Sequence, residues 1–156
     1  DLASFVPIVM SLNANNEVDA ALASIRPGDK DLMVGNATPS NGYGIPNHLT
    51  GTPTLNATVL KYGRTTSQTR GKIIAVDVTV SVQYYTGVAR FVEQFAVEAV
   101  KGGAFSKAGD SGSLVVLDND GANTPVGLLF AGGGRTTFCN DIGKVLTALG
   151  CTIDGK

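Results

Sequence analysis

Two alternating runs, residues 73–85 and 88–100, face each other across Thr86-Gly87 and constrain this chain more than anything else in it. Each mixes β-branched and polar residues at a period of two, the pattern of a strand with one covered face. Thr86-Gly87 supplies the tight turn between them. A hairpin of that length commits the chain to antiparallel sheet. Shorter strand-like runs at 57–62, 114–117 and 126–134 extend the same pattern. Twenty glycines and a charged content of only 16% suit a protein of many turns, and 43% hydrophobic residues suffice for one domain with a core. The fold class predicted is all-β.

One segment breaks the period. Ile142, Val145, Leu146 and Leu149 fall at i, i+3, i+4 and i+7, with Asn140 or Asp141 available as a cap and Gly150 as a stop. A closing helix over residues 141–149 is predicted. Cys139 and Cys151 flank it, and a helix of roughly 13 Å, at ~1.5 Å per residue, holds them too far apart for a disulfide. Two free thiols are expected, and their spacing matches no zinc pattern. Residues 5–10 read as a short buried strand. Residues 16–25 read two ways: Ala and Leu favour helix, whereas the short length and the Pro27-Gly28 stop suit a strand. Residues 35–56, rich in Gly, Asn, Pro, Ser and Thr, form a long surface loop, and 118–121 a hairpin turn.

A net charge of −1 and the lack of any basic run give a nucleic-acid partner no electrostatic support. No apolar run approaches the ~20 residues of a membrane helix. No motif calls for a metal or cofactor. No targeting segment is visible, and Asp1 leads straight into the first apolar stretch, which suggests a processed or truncated chain with an upstream part elsewhere.

The chemistry concentrates at Lys107-Ala108-Gly109-Asp110-Ser111-Gly112-Ser113, ahead of an apolar strand. Glycines on either side let the backbone turn tightly and aim successive N–H groups at one point, which suits a developing oxyanion. Gly109-Asp110-Ser111-Gly112-Ser113 is similar to the nucleophile signature of chymotrypsin-like (trypsin-fold) serine peptidases. Residues 57–71 resemble the strand–turn–strand that opens the second barrel of the bacterial members, and also the narrow-leaf type of trypsin-like protein. Residues 18–23 are similar to the family's Asp motif, and the order is right: an acid, roughly ninety residues, then Gly-Asp-Ser-Gly.

The resemblance implies a trypsin-like double β-barrel with the first barrel largely missing. Residues 1–34 would be its remnant, 35–56 the inter-barrel loop, and 57–156 the second barrel with its C-terminal helix. It implies Ser111 as nucleophile, the amides of Gly109 and Ser111 as oxyanion hole, and Asp110 with Gly112 as the structural parts of the turn. Asp19 would orient a histidine. Ala131, Gly132 and Gly133 would wall the substrate pocket, with Phe105 near its base and a peptide or protein pairing along the strand. No acid or base stands there, so an apolar or small substrate side chain is expected. Phe130 and Lys107 depart from the family, replacing a small polar residue and a half-cystine.

The base is the difficulty. The single histidine, His48, follows Asp19 and lies in the loop, whereas the family places its His before the Asp. Three readings stay open: a companion N-terminal segment or chain carries the His, the domain binds without catalysing, or His48 is recruited. A truncated barrel with exposed apolar surface would also be prone to self-association.

Overall fold

The structure, a computed structural model, describes residues 1–26, 28 and 35–156. Strands β1 (Leu2–Phe5) and β2 (Ala21–Ala23) form a small two-stranded sheet. Six more make a closed antiparallel barrel in the order β3-β4-β5-β8-β7-β6: β3 (Thr58–Gly63), β4 (Ser67–Tyr84), β5 (Gly87–Ala99), β6 (Leu114–Leu117), β7 (Pro125–Gly133) and β8 (Thr136–Asp141). The helix α1 (Ile142–Leu149) follows directly. The all-β class that the alternating runs predict is what forms, and its barrel is the second barrel of the trypsin-like fold that the resemblance implies.

Alternation explains the barrel. Val59 on β3, Ile73 on β4, Phe95 and Val97 on β5 and Val115 on β6 are buried together, joined by Val126 and Leu129 of β7, whose irregular pairing departs from strict alternation. Cys139 completes the cluster, so its thiol is pushed up in pKa by burial. Both cysteines are free, as the helix between them requires. That helix begins where the sequence predicts. Asp141 accepts from the backbone amides of Gly143 (2.8 Å) and Lys144 (3.3 Å), and Gly150 stops it in the left-handed region at φ 63°.

The hairpin β4–β5 is longer than the barrel needs. β3 pairs with β4 only as far as Lys72, so the rest of β4 continues with β5 alone on one edge. Register shifts near Ile74, Asp77 and Glu93 mark bulges, which bend and twist a ribbon. The hairpin end is held by Asn16, which bridges to Phe91 and donates from Nδ2 to the Arg90 carbonyl at 3.0 Å.

The N-terminal part departs from expectation. The strand foreseen over residues 5–10 lies at Leu2–Phe5 instead, and it is not buried: Phe5 and Val9 are each 58% exposed. Pro7 has no N–H to continue the ladder, and the chain turns off to bond Val9 to Asn16. Within 16–25 no helix forms; only Ala21–Ala23 is strand, because the segment is held by long-range contacts and not by its own turns. Val18 and Ala20 pack against Ile142 and Val145 of α1. Pro27 and residues 29–34, the expected stop and the end of the expected remnant, lie outside the described residues. Residues 35–56 carry neither helix nor strand.

Candidate active site

The turn before β6 is built around a carboxylate that water does not reach. Asp110 Oδ1 accepts from the amides of Thr65 (2.8 Å) and Thr66 (3.1 Å). Its Oδ2 accepts from Thr66 Oγ1 (2.7 Å) and the Lys107 amide (3.0 Å). Burial alone would push this carboxyl up. The four hydrogen bonds together win and hold it at about 2. Lys61 on β3, also wholly buried, places Nζ 3.7 Å from Oδ2 and donates to Thr66 Oγ1 and to the Ser67 carbonyl. Burial lowers the Lys61 ammonium in pKa, opposed by Asp110. Gly63 makes room: a Cβ there would stand 2.4 Å from Asp110 Oδ1.

That anchor shapes the nucleophile turn. Gly109 takes φ +96°, which favours glycine, and a Cβ on it would stand 2.6 Å from Thr65 Oγ1, itself held by the Ala108 carbonyl at 2.8 Å. Ser113 Oγ donates to the Asp110 carbonyl, and the Gly112 amide to Leu129 at 2.7 Å. The amides of Gly109 and Ser111 have no acceptor among the described residues. Ser111 is exposed, and its hydroxyl reaches the Phe130 carbonyl only at 3.5 Å, beyond an ordinary O–H···O bond. The weakly engaged hydroxyl thus belongs to a turn that carries two unengaged N–H groups among the described residues.

Ser111 borders two cavities. One of about 310 Å³ is lined by Asp19, Ala20, Ala21, Ser111, Gly112 and Phe130, among others, so the acid and the serine share one space although 92 positions separate them (111 minus 19). The second, about 610 Å³, brings Ser111 together with Ala131, Gly132 and Gly133, closed on another side by Val82, Gln83 and Tyr84 of the hairpin. Phe105 is not on its wall: the ring is wholly buried in the barrel core, 5.9 Å from Lys61 Nζ, and its neighbours Ala104 and Ser106 line the cavity instead. This corrects the expectation for Phe105: Thr69 Oγ1 donates to its backbone carbonyl at 2.7 Å, and its ring joins the buried core cluster with Val59, Ile73 and Val97. Lys107 is the one charged residue on that wall among the described residues. β6 pairs with β7 only as far as Leu128, so β7 from Phe130 onward is unpaired on that edge.

Asp19 owes its place to groups that no motif signals. Its amide donates to Asn140 Oδ1 (3.1 Å); Asn140 in turn donates to Gln94 Oε1 (2.7 Å), and Gln94 to the Glu17 carbonyl (2.9 Å). Gln94 and Asn140 are both buried, and Tyr84 donates its hydroxyl to Asp19 Oδ2 at 2.5 Å. Only the tertiary pairing reveals these three. His48 stands apart: it is exposed, its Nδ1 is 2.7 Å from the Lys156 carbonyl, and it lines neither cavity.

A family model described as the Nal1 C-terminal domain matches residues 50–146. None of the curated proteins matches the sequence. Among solved structures, the chymotrypsin of Cellulomonas bogoriensis is similar at 22% identity and TM-score 0.57, over 75% of this chain and 59% of that one. Protease A of Thermobifida fusca gives 22%, 0.56, 75% and 59% on the same measures. The Nocardiopsis protease gives 21%, 0.56, 73% and 56%. The chain therefore spans less than three-fifths of the length of the proteases it resembles, and at such identities the likeness is one of fold.

Proposed function

This chain belongs to the Nal1 C-terminal domain family, and on that premise we propose that it carries the nucleophile-bearing part of a serine endopeptidase. Ser111 Oγ attacks a peptide carbonyl; the new C–O bond forms as the carbonyl electrons move to oxygen, and the Gly109 and Ser111 amides receive that charge. The hydroxyl proton passes to a histidine base and from there to the leaving amine as the C–N bond breaks. Water then repeats the sequence on the acyl-enzyme. Asp19 orients the base.

The base comes from outside this chain, on a companion N-terminal segment or a second polypeptide. Exposed Leu2, Phe5, Leu22 and Ile25 around β1 and β2 suit such a companion. The unpaired edge of β7 suits a substrate strand, and a cavity wall with Lys107 and no acid among the described residues suits an uncharged or acidic side chain rather than a basic one.

The observation that carries the reading is the exposed Ser111 hydroxyl beside two unengaged amides, on a cavity that Asp19 also lines. A binding domain without catalysis is the second reading, favoured by the lack of any histidine on either cavity wall among the described residues. A fluorophosphonate probe on the intact protein separates the two. The peptidase reading expects an adduct on Ser111 that disappears in Ser111→Ala; an intact protein that takes no adduct favours the binding domain.

A further inference from the structure

A carboxylate that must present one oxygen to a base has to be kept from turning about its own side-chain bonds. Among the described residues only Tyr84 supplies a hydrogen bond to the Asp19 side chain, its hydroxyl donating to Oδ2. Tyr84 stands at the end of β4, 65 positions away in sequence, brought there by the bent hairpin. Its ring packs on Phe91 at 6.3 Å between centroids, and Phe91 packs on Phe130 at 4.9 Å. Phe91 is wholly buried, and Phe130 lines both cavities. A continuous aromatic row therefore ties the Asp19 contact to the strand beside the nucleophile.

We propose that Tyr84 is a positioning residue: its phenol clamps Oδ2 of Asp19 and leaves Oδ1 as the acceptor for the base. The inference rests on the peptidase reading. Burial first, then the bond and charge of Asp19, raise the Tyr84 phenol, so it stays a protonated donor through neutral and alkaline pH. The same commitment keeps it from acting as a base toward Ser111.

Tyr84→Phe in the intact protein removes one oxygen and leaves the ring packing in place. The expected result is a fall in kcat of roughly tenfold or more with KM unchanged, the loss of one charge-assisted hydrogen bond. Wild-type kcat, or a higher one, overturns the proposal; the second outcome would make the phenol an obstacle the base must displace. A raised KM with kcat intact also overturns it, since Tyr84 would then be only a cavity wall. An independent readout is the ultraviolet titration of the phenol, assigned by difference against Tyr84→Phe. In Asp19→Asn it should move to lower pH, and an unmoved titration overturns the clamp. Ser111→Ala separates the two levels. Its full activity would remove the peptidase reading and any positioning role with it, whereas its inactivity beside an unaffected Tyr84→Phe removes this inference alone.

Discussion

The carboxylate of Asp110 is out of contact with water and still ionised, because four donors reach it and Lys61 stands behind them. Its carboxyl is held at about 2, against roughly 3.9 for a solvated Asp. A carboxyl lowered by folding contributes stability that is fully present above the unfolded value and is lost as pH falls toward the folded one. The contribution is roughly 2–3 kcal/mol and should disappear between about pH 4 and about pH 2. Urea unfolding at stepped pH is expected to show that slope. Asp110→Asn should abolish it while lowering stability at neutral pH, since Lys61, whose ammonium burial already disfavours, would lose the carboxylate that opposes that effect. Gly-Asp-Ser-Gly makes the turn legible, but nothing local says that Lys61 is buried beneath it. A lysine on an alternating strand ordinarily faces water, and here Thr66, Ser67 and Asp110 together make the inward position tolerable.

Elements whose ends are set by their own residues are the ones most legible in the sequence. The helix α1 starts at an Asp cap and stops at a left-handed glycine, both interactions spanning only a few residues. Asp141→Ala should cost about 1 kcal/mol, measured as a lower thermal midpoint. The hairpin was equally plain in its alternation, but not its curvature. Bulges near Ile74, Asp77 and Glu93 follow from how β4 and β5 pair, and they carry Tyr84 to Asp19. The segment at 5–10 failed as a buried strand for a related reason. An apolar run is only an offer of burial, and here Pro7 ends the ladder while Phe5 and Val9 find nothing among the described residues to cover them.

At the scale of the molecule the chain has two unequal parts. The six-stranded barrel closes on itself around a continuous core, whereas β1 and β2 pair over a few residues with their side chains exposed. Hydrogen exchange should therefore show slow amides on β5 and β7 at the barrel centre and much faster ones on β1 and β2, the latter slowing when a companion segment is bound. Rates alike in the two parts would contradict that division. Sequence alone determined what depends on near neighbours: the period of the strands, the capped helix, the glycine-bounded serine turn, and the free cysteines kept apart by that helix. Tertiary structure alone decided what depends on residues far apart in the chain. It set Asp19 and Ser111 on one cavity, put Phe105 in the core and its neighbours on the pocket wall, and buried Lys61 under Asp110. The physical reason is range: a turn or a cap is satisfied within a few residues, but a carboxylate across a cavity is positioned only when distant strands close a barrel between them.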